Sequence, residues 1–155
     1  MATTDNNAAQ VEAQRELFMD EAMRSSVPHV FHDSSAHRDA SLRRLVRDGG
    51  MAVYGRYWLL VELLTSSPAH RYDVSDEFGW EMLAQDMSRL EPMNVDECKA
   101  FVGDLYRYDL LSREHYDELS ELLITRVLRD VQRYAEGTVK KKLGAWKRHY
   151  GTAGS

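Results

Sequence analysis

The sequence has little cysteine and no long apolar run, and each shortage excludes a class of protein. One cysteine in 155 residues excludes an intramolecular disulfide framework and a cysteine-based zinc site. No apolar run approaches the ~20 residues of a membrane-spanning helix, and the run Trp58–Val61 stops at Glu62. The first ten residues are polar and small, without the basic and apolar stretches of a secretory signal. We therefore expect a cytoplasmic protein that does not contact a membrane.

The motifs of common active sites are also missing. The sequence holds no Gly-x-Ser-x-Gly, no Gly-x-x-x-x-Gly-Lys and no Gly-x-Gly-x-x-Gly. Cys98 falls on an apolar helical stripe, which favours a core residue over a nucleophile. One segment offers metal-ligating residue types, but their spacing matches no complete metal motif: His29, His32, Asp33, His37 and Asp39. We expect no enzymatic activity, no cofactor and no metal, and either Asp39 or Ser41 is expected to cap a helix over roughly 40–48.

Charge is distributed unevenly along the chain. Residues 1–124 hold 12 Lys and Arg against 23 Asp and Glu, a net charge of −11. Residues 125–155 hold 8 Lys and Arg against two acids, a net charge of +6. An acidic body with a basic C-terminal end indicates a surface for an anionic partner at that end.

Apolar spacing predicts a mainly helical chain that is punctuated by Pro28, Pro68 and Pro92. Residues 1–7 are expected to be frayed, and a short extended piece is expected at 30–35. Helices are predicted over 8–24, 40–48, 51–65, 76–90, 95–108 and 121 to about 134, with Gly137 ending or kinking the last one. The basic tail beyond Gly137 either continues as a helix or frays.

Three of these helices carry more specific expectations. The helix over 51–65 is apolar on nearly all sides and is expected at the centre of the core, where Glu62 needs a partner such as Arg38 or Arg126. Asn94 and Glu97 resemble a capping box. The inward face predicted for 76–90 comprises Phe78, Met82, Leu83, Met87 and Leu90.

The element order predicts a winged-helix-like fold, a helix-turn-helix variant. Tyr72–Val74 is a candidate strand, and residues 110–120 are read as a small hairpin. The alternative interpretation is that residues 113–120 are the start of the last helix, with Ser112 as its cap. The predicted organisation is an N-terminal tail and helix over 1–28, the winged-helix-like domain over 29–136, and a basic tail over 137–155.

Two blocks of sequence resemble a known family. The first is Phe31-His32-Asp33-Ser34-Ser35-Ala36-His37-Arg38-Asp39, and the second runs from Gly50 through Tyr57-Trp58 to Glu62. Together they resemble the Lin1244/Lin1753-like N-terminal domain family (DUF4373), with the similarity covering roughly 29–135. That family is found in phage and mobile-element replisome organisers and replication initiators. The resemblance implies a winged-helix-like domain that binds DNA or a replication partner.

Basic residues supply the candidate nucleic-acid interface. Phosphate binding requires several cations that follow a nucleic-acid backbone, and interleaved aromatic residues can stack on unpaired bases. One cluster lies on the last helix and its tail: Arg126, Arg129, Arg133, Lys140, Lys141, Lys142, Lys147 and Arg148. A second cluster, on the helix over 40–48, is Arg43, Arg44 and Arg47, which could equally pair with acids of the same chain.

These observations favour a non-enzymatic DNA-binding module of phage or mobile-element origin that acts in replication initiation. It would contact phosphates through the basic C-terminal helix. The alternative is a protein-interaction module with a replication or regulatory partner, because the predicted recognition helix over 95–108 exposes more acids than bases. The apolar residues of 8–24 either pack on the same chain or form a homodimer.

Overall fold

Six α-helices and one two-stranded antiparallel sheet make up the part of the chain that the computed structural model describes, residues 2–28 and 35–150. The helices are α1 (Ala2–Arg24), α2 (Ala40–Ser66), α3 (Glu77–Met87), α4 (Val95–Arg107), α5 (Arg113–Leu119) and α6 (Thr125–Tyr150). The strands are β1 (Tyr72–Asp73) and β2 (Glu121–Leu122), and short 3₁₀ turns cover Ala36–Arg38 and Pro68–His70. The extended piece expected at 30–35 lies almost wholly outside the described residues. Within those residues, no helix combines the length and apolarity needed to cross a membrane.

The chain divides into two compact units. One comprises Met1–Ser25 and Val131–Ser155, and the other comprises Ser26–Asp130. In the first unit, Ala22 of α1 packs against Ala135 and Val139 of α6, with Phe18 and Met19 at the edge of this cluster. The helix predicted over 8–24 therefore packs on the same chain.

The second unit has a continuous apolar core. Its centre is built from leucines of α2, α3 and α4 that are nearly inaccessible to solvent: Leu42, Leu45, Leu60, Leu64, Leu83 and Leu105. Leu122 and Ile124 close the core beside β2. Burial of apolar surface on this scale is the main stabilising contribution to such a fold.

The hairpin predicted over 110–120 is wrong, and the strands of the sheet pair differently. Residues 113–119 form α5, because the Ser112 side chain accepts a hydrogen bond from the His115 amide and caps a helix there. The alternative prediction of a helix that begins at 113 with Ser112 as its cap is therefore confirmed. This helix, α5, is separate from α6, because Ser120 adopts a left-handed φ of 51°. β2 pairs with β1, with Tyr72 opposite Leu122, and an isolated bridge joins Leu111 to Ile124.

Helix ends and faces differ from the sequence expectations at several points. α1 begins at Ala2, so the frayed end predicted at 1–7 is wrong, and α6 continues through Gly137 to Tyr150. One glycine in a helix costs about 1 kcal/mol, and the packing of Ala135 and Val139 offsets a cost of that size. The predicted inward face of α3 is partly wrong, because three of its five residues are exposed: Phe78, Met82 and Leu90.

α3 is shorter than predicted for a local reason. The Ser88 hydroxyl donates to the Ala84 carbonyl at 2.7 Å and accepts from the Met93 amide at 3.0 Å. This side chain ends the helix and turns the chain toward α4. The cap predicted at Asn94 is confirmed, because its side chain accepts from the Glu97 amide at 2.8 Å. The Glu97 carboxylate accepts from the Asn94 side-chain amide at 3.0 Å, where a capping box has the backbone amide of the capping residue as donor.

α2 is interrupted at Gly50, whose φ of 78° and ψ of −173° are not helical. The separate helices predicted over 40–48 and 51–65 require a break at Gly49-Gly50. This break is confirmed, although helix resumes at the residue after Gly50. The second half of α2 is less buried than its sequence suggested, since Met51 is 71% exposed. Glu62 is also exposed to solvent, so the buried partner expected for its carboxylate is not needed.

We expect alanine to have opposite effects at two glycines. Gly50→Ala should lower the free energy of unfolding by about 1–2 kcal/mol, because an L side chain rarely adopts this backbone conformation. Gly137→Ala should raise it by about 0.5–1 kcal/mol, because Gly137 is helical and nothing within 4 Å would meet the added Cβ. Urea denaturation followed by far-UV circular dichroism measures both. If both substitutions changed the free energy of unfolding by the same amount in the same direction, the non-helical conformation of Gly50 would be contradicted.

Candidate nucleic-acid interface

Three arginines project from the first turns of α2. Asp39 begins this helix, because its side chain accepts hydrogen bonds from the Ser41 and Leu42 amides at 2.9 and 3.1 Å. Leu42 and Leu45 then face the core, which leaves the neighbouring arginines exposed to solvent. With Ala40, they surround a surface cavity of about 360 Å³; we name them the α2 patch: Arg43, Arg44 and Arg47.

The α2 patch is only partly neutralised by acids of the same chain. Arg47 forms an ion pair with Asp48 at 3.0 Å, and its side chain stays 71% exposed. Within residues 2–28 and 35–150, neither Arg43 nor Arg44 forms an ion pair. The alternative that these arginines pair internally therefore holds for Arg47 alone, and the patch keeps a positive charge that faces solvent.

Arg126 has a different environment from the surface position that its spacing predicted. Its side chain is 10% exposed, and its Nη2 donates to Asp39 Oδ2 at 3.4 Å. The guanidinium carbon lies 5.7 Å from the centroid of the Trp58 ring, a cation–π geometry. Arg126 therefore joins the start of α6 to the capping residue of α2, so the exposed position predicted for its guanidinium is wrong.

Arg129 is the other member of the predicted basic cluster on the last helix that lies in the unit Ser26–Asp130. Its side chain is 56% exposed, and it lies 3.7 Å from the Asp130 carboxylate. The Asp130 side chain is only 10% exposed, so this half-buried pair neutralises part of the Arg129 charge, although the Arg129 side chain still meets solvent.

In the other unit, exposed cations recur along α6. Arg133, Lys140 and Lys147 are seven residues apart, which places them about 10.5 Å apart on one side of the helix. Lys142 is engaged instead, because its Nζ lies 3.6 Å from the Glu21 carboxylate and 5.8 Å from the centroid of the Phe18 ring. Lys141 and Arg148 are exposed.

α4 stands where a recognition helix is expected, but its cations are already engaged. The Lys99 ammonium donates to Glu77 of α3 at 3.0 Å, and Arg107 donates to Asp104 at 3.0 Å. Asp96 and Glu97 remain exposed in its first turn. Because base edges are usually read by Arg, Lys, Asn or Gln side chains, this face is poorly suited to bases.

The structure supports neither a metal centre nor a reactive thiol among the described residues. His37 and Asp39 belong to no group of three or more metal-ligating side chains within the described ranges, and His29, His32 and Asp33 lie outside those ranges. Cys98 is fully buried on α4, and burial raises the pKa of its thiol to about 11. Its thiolate is therefore scarce at neutral pH, as the prediction of a core residue implies.

An apolar cavity beside the α2 patch was missed by the sequence reasoning. It has a volume of about 500 Å³, and residues from both sides of Gly50 line it. Its lining combines apolar side chains with two arginines of the patch: His37, Leu42, Arg43, Val46, Arg47, Met51 and Tyr54. We name this feature the α2 cavity.

The function of this surface has to be inferred from its own geometry and charge. Comparison with models of protein families, with curated proteins and with solved structures gave no match. The described residues offer two sets of exposed cations, one in each compact unit, and an acidic α4. A surface of this composition suits polyanions rather than a small uncharged substrate.

Proposed function

We propose that this protein is a non-enzymatic, winged-helix-like DNA-binding module that contacts phosphates and acts in phage or mobile-element replication initiation. The exposed arginines of the α2 patch carry the proposal, because two of the three form no ion pair within the described ranges. Arg129 extends this surface in the same unit, and Arg133, Lys140 and Lys147 provide the contacts of the C-terminal helix.

The strand pairing supports the winged-helix-like arrangement. The segment 121–124 lies between two partners, since Leu122 pairs with Tyr72 and Ile124 pairs with Leu111. A backbone hydrogen bond from Ser112 to Leu123 at 2.7 Å extends the second pairing. The order helix, strand, helix, helix and then two paired extended segments resembles that of a winged helix, with α5 at the position of the wing loop.

Recognition through phosphates fits this chain better than recognition of bases. The cations of α4 are held by Glu77 and Asp104, whereas those of the α2 patch face solvent. Phosphate contacts carry little sequence information, but they release condensed counterions. The proposal therefore specifies salt-sensitive binding with little sequence preference.

A titration of labelled duplex DNA, followed by fluorescence anisotropy, tests the proposal. Between roughly 50 and 200 mM salt, the slope of log K against log salt should be about −3 or steeper, and two unrelated duplex sequences should bind within about threefold. Absence of binding at the lowest salt, or a slope near zero, would overturn it.

A second candidate function, protein recognition, is favoured by one observation. Phe78 and Met82 lie four residues apart on one face of α3, are 67% and 37% exposed, and belong to the helix that packs on the acidic α4. Exposed apolar residues in a polar rim are typical of protein-interaction sites. If this function is the correct one, the chain should bind a protein partner while failing the DNA titration.

A further inference from the structure

The α2 cavity and the α2 patch share two side chains. Arg43 and Arg47 line both the apolar cavity of about 500 Å³ and the arginine-lined cavity of about 360 Å³. A ligand bound in the apolar cavity would therefore lie beside the side chains of two arginines. The two cavities together suit a ligand in which a flat or apolar group carries an anion.

An aromatic side chain is fixed in the apolar cavity. Tyr54 is half-buried, and its ring packs edge-on against Trp58 with the centroids 6.2 Å apart. Trp58 is buried and lies in turn beside Arg126, whose side chain is 10% exposed. Tyr54 is thus held by packing, while Val46 and Met51 supply further apolar surface at the cavity.

We infer that the α2 cavity accepts the base of an unpaired nucleotide while the α2 patch binds the adjoining phosphates. The inference rests on the proposed function and names its substrate class, single-stranded DNA or the opened end of a duplex. A base in intact duplex is stacked between its neighbours and cannot enter a side-chain cavity, whereas an unpaired base can stack on an aromatic ring. Charge complementarity favours this ligand, since an uncharged apolar group would leave Arg43 without an anion and Arg47 with the exposed Asp48 alone.

The test compares single-stranded with duplex DNA of equal length on the full chain. We expect the single strand to bind more tightly, and Tyr54→Ala to weaken single-strand binding about 10-fold while leaving duplex binding within about twofold. Tyr54→Phe keeps the ring and should bind like the unmodified protein. Phe78→Ala removes an exposed aromatic residue outside the cavity and serves as the matched control.

The fold of each variant is checked by its thermal unfolding midpoint, and a base analogue that reports stacking, 2-aminopurine, gives a second readout. Its fluorescence should be quenched by the unmodified protein and by Tyr54→Phe, but not by Tyr54→Ala. If Tyr54→Ala weakens both DNA forms equally, or neither, the inference is wrong while the proposed function stands. If neither form binds the unmodified protein, the proposed function fails as well.

Discussion

Replacing the three arginines of the α2 patch with glutamine should weaken duplex DNA binding roughly 100-fold at low salt. A charge-assisted contact of this exposed kind contributes about 1 kcal/mol, and the substitutions remove three of them. The salt slope should become shallower by about 0.9 for each phosphate that the variant no longer binds, or by nearly three in all. Fluorescence anisotropy at several salt concentrations measures both quantities in one series.

A matched variant separates the patch from the general charge of the protein. Arg71→Gln, Arg89→Gln and Arg107→Gln remove three exposed arginines of the same compact unit that lie outside the patch, with the same change in net charge. We expect this variant to keep its salt slope and most of its affinity. If its affinity falls as far as that of the patch variant, binding depends on net charge alone and the α2 patch is not the site.

Arg126→Ala should lower the free energy of unfolding by about 2–3 kcal/mol. The substitution removes a nearly buried guanidinium that contacts Asp39 and lies over Trp58, and it leaves the Asp39 carboxylate without its cation. The loss stays below the range for fully buried pairs, because Asp39 is 37% exposed and keeps its two bonds to backbone amides. Urea denaturation measures the change.

Two further variants determine whether the ion pair is responsible. Arg133→Ala removes an exposed arginine of the same helix that forms no ion pair within residues 2–28 and 35–150, and it should change stability by less than about 0.5 kcal/mol. Asp39→Asn removes the charge but keeps a good helix-capping residue. In the double variant Arg126→Ala with Asp39→Asn, the loss should be smaller than the sum of the single losses. Additive losses would show that packing of Arg126, rather than its charge, stabilises the fold.

Short-range signals in the sequence predicted much of the local structure. Asp39 and Asn94 cap helices as predicted, and Ser112 caps one as the alternative to the hairpin expected, because a capping side chain bonds to amides two or three residues away. The break at Gly50 is also local, since it depends on the backbone preference of one glycine.

Errors arose where distant contacts decide between local alternatives. The sequence around 110–120 fits both a hairpin and a helix, and the pairing of β2 with β1, about 50 residues earlier in the chain, leaves 113–119 free to form α5. The face of α3 was misassigned because Phe78 and Met82 share its helical spacing with Leu83 and Met87, yet only the second pair meets the core. Apolar spacing alone does not distinguish a buried stripe from an exposed one.

The sequence by itself determined a mainly helical chain, its caps and the separation of an acidic body from a basic end, because these depend on composition and on neighbours within one helical turn. Only the tertiary structure decided which cations face solvent. Arg126 and Arg129 are one turn apart on α6, yet burial against Asp39 and Trp58 withdraws the first while the second remains exposed. The α2 cavity likewise exists only because residues on both sides of Gly50 meet in space. Spacing along a helix places charges on a face, but packing determines whether that face meets solvent.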